Sequence, residues 1–66
     1  MLQDYRVYRL NREGHIVRGE YVAAADDERA IQLVRDQAHD TDCEIWLGSR
    51  KVAVIPADGS EPKRPR

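Results

Sequence analysis

The sequence lacks most of the devices that hold very small domains together. Its 66 residues include one cysteine, Cys43, so a disulfide within the chain is excluded. With only two histidines besides, the chain has no Cys/His spacing typical of a structural zinc site. A domain of this length buries only about 60% of its unfolded surface, so a single core is marginal without a partner.

Long apolar runs and an excess of one charge are missing as well. No stretch approaches the roughly 20 apolar residues of a membrane span, so no membrane partner is expected. Eleven Lys and Arg against twelve Asp and Glu give a net charge of −1, so no overall field draws the chain to nucleic acid. Residues 1–4 have neither a basic nor an apolar signal region. We therefore expect a reduced, cytoplasmic setting.

The first third of the chain predicts a β-hairpin. Residues 5–10 and 15–22 are rich in aromatic and β-branched side chains, which is typical of strands. Between them, Asn11 suits the first position of a type I turn, and Gly14 can take the positive φ of the bulge that often follows. The register expected for a three-residue loop pairs Leu10 with Ile16, Arg6 with Glu20 and Tyr5 with Tyr21.

Residues 26–39 predict an amphipathic helix of about four turns. Asp26 can act as the N-cap, and the acids that follow it complement the positive end of the helix dipole. Apolar residues recur at helical spacing on one side, with Leu33 at the flank. The predicted apolar face consists of Ala30, Ile31, Val34 and Ala38.

A second hairpin is predicted by residues 43–47 and 50–55. They flank Gly48-Ser49, a two-residue turn with glycine first, which indicates type II′. The expected register pairs Leu47 with Arg50, Ile45 with Val52 and Cys43 with Val54.

The element order is therefore β-β-α-β-β, which predicts an α+β fold with one helix on one face of a four-stranded antiparallel sheet. A right-handed crossover through the helix gives the strand order 2-1-3-4. We expect one domain over residues 1–55. Residues 56–66 combine prolines with basic residues and predict a disordered tail.

One helix can cover only one face of such a sheet. The strand residues predicted to face the helix are Tyr5, Val7, Val17, Tyr21, Cys43, Ile45, Leu47, Val52 and Val54. The residues predicted on the uncovered face are Arg6, Tyr8, Leu10, Ile16, Arg18, Glu20, Glu44, Trp46, Lys51, Ala53 and Ile55. An uncovered antiparallel face is ordinarily polar, whereas this one mixes aromatic, aliphatic and charged residues.

Three interpretations of the uncovered face stay open. Arginine and lysine stems can lie over the aromatics, so that nothing binds there. Two copies can stack their faces and supply the core that one chain lacks, which makes the protein a non-enzymatic homodimeric interaction module. Another protein, including a larger enzyme that this chain completes, can also cover it.

A nucleic-acid-associated or regulatory role is the alternative function. Aromatics interleaved with cations can stack bases and contact phosphates, although two glutamates share the predicted face. The basic tail can add phosphate contacts. The candidate contacts are Arg6, Tyr8, Arg18, Trp46, Lys51, Lys63, Arg64 and Arg66.

The sequence contains no constellation that supports catalysis. The acids of residues 26–28 are explained by the helix start, and those of residues 40–44 lack the glycine and distal glutamate of a calcium loop. His15 lies beside a hairpin turn, His39 at the predicted helix end complements the helix dipole, and the hairpin register points Cys43 inward, so no Cys–His nucleophile pair is expected. We therefore expect no catalytic residue, no metal site and no cofactor.

The assembled pattern resembles a group of short uncharacterised bacterial proteins that are common in alphaproteobacteria. The likeness rests on residues 5–10, 14–16, 26–31, 44–48 and 50–53, and it spans residues 5–55. Because these motifs are fold-like, the resemblance implies a compact cytoplasmic domain and transfers no functional residue.

Overall fold

The structure is a computed structural model, and it describes residues 1–37 and 40–64. It has the predicted α+β fold, in which four antiparallel strands form one sheet in the order β2-β1-β3-β4. The elements are β1 (Gln3–Leu10), β2 (Ile16–Ala24), α1 (Asp27–Asp36), β3 (Cys43–Leu47) and β4 (Arg50–Ile55).

The turn between β1 and β2 forms as predicted. Gly14 has a φ of 84°, which an L side chain rarely adopts, and its N–H donates to the Asn11 carbonyl over 3.0 Å. The Asn11 N–H donates to the His15 carbonyl at 2.8 Å, closing the hairpin. Leu10 lies opposite Ile16, which confirms the register beside the turn.

A β-bulge at Val17 then changes the register of the first hairpin. Arg9 lies opposite Arg18, so Val17 has no partner on β1. The predicted pairs of Arg6 with Glu20 and of Tyr5 with Tyr21 are therefore wrong. The pairs beyond the bulge are Tyr8 with Gly19, Val7 with Glu20, Arg6 with Tyr21 and Tyr5 with Val22.

Helix α1 begins as the sequence predicts but ends earlier. The Asp26 side chain accepts a 2.8 Å hydrogen bond from the Arg29 N–H, which confirms the N-cap. The helix ends at Asp36, because Gln37 has extended backbone angles and its N–H bonds back to Val34. The helix therefore has ten residues rather than four turns. The predicted contacts of Ala38 and His39 lie outside the described residues.

The second hairpin also carries a bulge, at Val52. Gly48 has a φ of 62°, and Leu47 lies opposite Arg50 as predicted. Because Val52 has no partner on β3, the predicted pairs of Ile45 with Val52 and of Cys43 with Val54 are wrong. Past the bulge the pairs are Ile45 with Ala53, Glu44 with Val54 and Cys43 with Ile55.

The core lies between α1 and the face of the sheet that α1 covers. It is the main source of stability in a domain that contains no disulfide. Its buried members are Tyr5, Val7, Ala24, Ala30, Ile31, Val34, Cys43, Ile45, Val52, Ala53 and Ile55, with Val22, Leu33 and Leu47 packed against them. Of the strand residues predicted to face the helix, Val17 and Tyr21 are exposed instead, and Val54 pairs with Glu44 on the other face.

The chain after β4 turns back along that strand. Lys63 exchanges two backbone hydrogen bonds with Val54, at 2.7 and 2.9 Å. Arg64 forms a 2.6 Å ion pair with Glu28 of α1, and the Ala57 N–H donates to the Asp42 side chain. The sequence predicts an unpacked tail here, whereas residues 56–64 of the structure contact both the sheet and the helix.

Candidate interaction surface

The face of the sheet opposite α1 follows from the strand register. Alternate residues of β1 point away from the helix, and their cross-strand partners point the same way. Arg6 lies between Tyr21 and Trp46, Tyr8 lies between Gly19 and Glu44, and Trp46 lies opposite Lys51. We call this surface the open face; its side chains are Arg6, Tyr8, Leu10, Ile16, Tyr21, Glu44, Trp46, Lys51 and Val54.

Seven of the residues predicted for this surface lie on it, and four do not. Ala53 and Ile55 are in the core, because the Val52 bulge turns them toward α1. Arg18 and Glu20 lie opposite Arg9 and Val7, on the helix side of the sheet, because of the Val17 bulge. The residues placed as predicted are Arg6, Tyr8, Leu10, Ile16, Glu44, Trp46 and Lys51.

The sequence analysis placed two residues of the open face, Val54 and Tyr21, on the helix side, and the more exposed of the two is Tyr21. Its face follows from the register of the structure: Gly19 lies under the Tyr8 ring, where a Cβ atom would come within 3.3 Å of two ring carbons. A glycine next to an aromatic on the neighbouring strand indicates that the two share a face. Since Gly19 faces Tyr8, alternation puts Tyr21 on the same side.

At the centre of the open face, polar groups hold the aromatic side chains in place. The Arg6 guanidinium lies over the Tyr8 ring at 5.6 Å, and the Lys51 ammonium lies over Trp46 at 5.8 Å. The Trp46 Nε1–H donates to Glu44 over 3.0 Å, and Lys51 Nζ lies 3.5 Å from the same carboxylate. Both residues are half-buried.

The margin of the open face along β2 is more apolar and more exposed. Tyr21 is 73% exposed and Ile16 is 56% exposed, while Val17 of the bulge is 64% exposed. Two shallow depressions lie on this side of the face. One, of about 330 Å³, is lined by Ile16, Trp46 and their neighbours, and the other, of about 240 Å³, is lined by Gly19, Tyr21 and their neighbours.

The fold places the candidate nucleic-acid contacts on different parts of the molecule. Four of them, Arg6, Tyr8, Trp46 and Lys51, share the open face. Arg18 lies on the helix side at the β2 edge, whereas Lys63 and Arg64 follow the opposite edge of the sheet. Arg66 lies outside the described residues. The cations therefore do not form one continuous track.

A polar cluster on the helix side joins three elements. The Asp27 carboxylate accepts hydrogen bonds from the Tyr5 hydroxyl at 2.7 Å and from both terminal nitrogens of Arg50 at 2.9 and 3.1 Å. The Arg50 bonds, and then the Tyr5 bond, lower the pKa of Asp27, while burial and the Asp27 contact raise the pKa of Tyr5 to about 12. All three partners are satisfied, so the cluster serves to dock α1.

A second polar cluster lies at the other end of α1. The Arg9 guanidinium forms an ion pair of 2.9 Å with Glu20, and it also donates to the Gln37 side chain over 3.2 Å. Arg9 lies 3.8 Å from the Cys43 sulfur, but burial dominates and raises the pKa of that thiol. Cys43 is thus a core residue and not an activated nucleophile.

Two further features of the described residues bear on function. Residues 1–37 and 40–64 contain no group of three or more His, Cys, Asp or Glu side chains close enough to hold a metal ion. In the same ranges, no helix combines the length with the apolar character that crossing a bilayer requires.

Comparison with known proteins found no match to this chain. No family model matches the chain, and neither a curated protein nor a solved structure matches it. The resemblance to short bacterial proteins over residues 5–55 therefore stays a prediction.

Proposed function

We propose that the protein is a cytoplasmic, non-enzymatic interaction module that forms a homodimer through its open face. The observation that carries this proposal is the exposure of Tyr21 and Ile16 beside the half-buried Tyr8 and Trp46, on a face that α1 cannot reach. Together these four side chains, with Arg6 between Tyr21 and Trp46, form a largely apolar strip across three of the four strands. Exposed apolar surface of this kind ordinarily marks a contact site.

A second copy of the chain is the occupant that best meets the needs of such a small domain. The core of one chain lies between a single helix and one face of the sheet. In a chain of 66 residues, such a core gives only marginal stability. Stacking two open faces would bury both aromatic strips and add a second apolar layer. Because the same surface meets itself, the contact would be isologous and would close at the dimer.

The charges of the open face are consistent with a protein partner. Glu44 neutralises Lys51 locally, and Arg6 donates to the carbonyl of Gly48 over 2.7 Å, so neither cation requires an external anion. Charged groups that already have partners within the chain can be covered by another protein without being left unpaired. The alternative, a nucleic-acid-associated protein, has less support because Arg64 also has an acidic partner, Glu28.

The test is the association state of a Trp46→Lys variant. The new ammonium group would lie beside Glu44, so the monomer fold should persist, whereas two such faces would repel each other. We expect the wild type to sediment as a dimer at low micromolar concentration and the variant as a monomer. Gln32→Lys is the control, because Gln32 is exposed on α1, on the other side of the sheet, and this variant should remain dimeric.

Two results would overturn the proposal. The first is a monomeric wild type whose Trp46 fluorescence is already that of a solvated indole at high concentration. The second is quenching of Trp46 by a single-stranded oligonucleotide with steep salt dependence, since phosphate contacts weaken as salt rises while apolar contacts do not. That second result would favour the nucleic-acid alternative.

A further inference from the structure

The two edges of the sheet differ in how they are covered. The edge of β4 is paired at Val54, where Lys63 runs alongside it and forms two backbone hydrogen bonds. The edge of β2 is nine residues long, and within residues 1–37 and 40–64 no segment pairs with it on the side away from β1. An unpaired edge of that length is a ready template for another strand.

The register shows which backbone groups of β2 point outward. The Leu10 N–H donates to the Asp42 carbonyl at 2.9 Å, so Leu10 directs its backbone toward the β3 side. Alternation gives Tyr8 and Arg6 the same direction. Their β2 partners, Gly19 and Tyr21, therefore direct their N–H and C=O groups away from β1, toward the free edge.

The usual protections of an edge strand are sparse on β2. It contains neither proline nor lysine, and the bulge at Val17 is its one irregularity. Val17 and Tyr21 are 64% and 73% exposed along it. Between them, Gly19 has no side chain to hold another backbone away, so a second strand can come close.

The sequence of β2 is self-complementary about Gly19. Residues 16–22 read Ile-Val-Arg-Gly-Glu-Tyr-Val, so that two apolar residues and one charged residue flank the glycine on each side. In an antiparallel pair centred on Gly19, Arg18 of each copy lies opposite Glu20 of the other. Opposite charges in directly facing positions stabilise such pairs.

The pairing would give the Arg18 side chain an acidic partner that it lacks within the described part of its own chain. Arg18 lies opposite Arg9 on the neighbouring strand, which places two like charges across from each other. Glu20 contacts Arg9 at 2.9 Å, and no acceptor for the Arg18 side chain is found among the described residues. The nearest acidic group in the proposed pair would be Glu20 of the second copy.

We propose that the β2 edge pairs antiparallel with the β2 edge of a second copy, with Gly19 facing Gly19. The pair is related by a two-fold axis normal to the sheet, so both helices lie on one side of an eight-stranded sheet and both open faces lie on the other. This contact goes beyond the proposed function, because it uses a different surface from Trp46. With both contacts formed, two face-to-face dimers join into a tetramer of dihedral symmetry.

Arg18→Glu is the variant that separates the two contacts. It puts a carboxylate opposite Glu20 of the second copy at both ends of the pair, while within one chain it places an acid opposite Arg9, so the monomer should fold. We expect the wild type to pass from dimer to tetramer as concentration rises and Arg18→Glu to remain a dimer. Arg12→Glu, the same charge change in the turn, should behave as the wild type does.

The double variant Arg18→Glu/Trp46→Lys should be monomeric at all concentrations, and Trp46→Lys alone should dimerise at high concentration. If Trp46→Lys leaves association unchanged, the proposed function fails. If Arg18→Glu and the wild type associate identically, the edge pairing fails and the proposed function stands.

Amide exchange and charge exchange test the register directly. In the Trp46→Lys variant at high concentration, the N–H groups of Gly19 and Tyr21 should become protected from exchange, and adding Arg18→Glu should remove that protection.

In the Trp46→Lys background, Arg18→Glu and Glu20→Arg chains should each fail to pair alone. They should pair when mixed, since both acids of one chain then face arginines of the other. Unprotected amides in a dimer, or no gain on mixing two folded variants, would overturn the edge pairing.

Discussion

Tyr5 and Asp27 are joined by a hydrogen bond of 2.7 Å from the phenolic hydroxyl to the carboxylate. The contact links the third residue of β1 to the first residue of α1, and Arg50 of β4 binds the same carboxylate through two nitrogens. A single acidic side chain therefore ties three elements together. It also lets a phenol lie in the core with its hydroxyl satisfied.

Asp27→Asn should lower the free energy of unfolding by about 1–3 kcal/mol, because hydrogen bonds to a charged group are lost and an amide N–H₂ meets the Arg50 donors. Urea unfolding measures this change. Asp36→Asn is the matched control: Asp36 accepts only from Gln32 among the described residues and is exposed, so the change should stay within about 0.5 kcal/mol. A double-mutant cycle with Tyr5→Phe should show coupling, and strictly additive losses would contradict it.

Stability should fall at alkaline pH because of Tyr5. Burial, and then the Asp27 contact, raise its pKa from 10.0 to about 12. A raised pKa means that folding favours the protonated phenol, so this contribution is complete below pH 10 and is lost as the pH rises toward 12. Urea unfolding across that range should show a decline that is smaller in Tyr5→Phe. Equal slopes in both proteins would exclude Tyr5 as the cause.

Val34→Asp should abolish cooperative unfolding. Val34 is 1% exposed at the centre of the buried face of α1, and a carboxylate there would have no partner. Thermal denaturation followed by circular dichroism measures this. Gln32→Asp adds the same charge on the exposed side of the helix and should still melt cooperatively. A Val34→Asp protein that melts near the wild-type temperature would show that the helix has another register.

Cys43 should resist a polar thiol reagent in the native state. It is fully buried, and burial raises its pKa, so little thiolate is available. We expect the labelling rate to follow the opening of the fold and to rise with urea. Ser49→Cys in a Cys43→Ala background is the control, since position 49 is in the exposed turn and should label at once. Rapid labelling of native Cys43 would contradict the inward orientation.

The parts of the fold that depend on local chemistry could be predicted from the sequence. Asp26 as N-cap, Gly14 with positive φ and the Gly48-Ser49 turn each follow from what one or two residues permit, and the structure confirms all three. The element order and the short hairpin loops leave few possible topologies for a four-stranded sheet. The strand order could therefore be predicted as well.

The two bulges could not be predicted in the same way. A bulge forms where strand twist and packing against the helix favour one extra residue, and neither Val17 nor Val52 differs from an ordinary strand residue. Since side chains alternate along a strand, the extra residue of a bulge moves every side chain beyond it to the face opposite the one expected for a strand without the bulge. That is why the candidate surface was right at Tyr8 and Trp46 but wrong at Glu20 and Ile55.

The bulge at Val17 gives the chain a position where its length can vary. A chain lacking Val17 would keep Leu10 opposite Ile16 and Arg9 opposite Arg18, in a ladder without interruption. Because the Val17 side chain is exposed, no core volume would be lost with it. Val52 is buried, so its removal would leave a void beneath α1. Among homologous chains, single-residue gaps should therefore accumulate near position 17 and be rare near position 52.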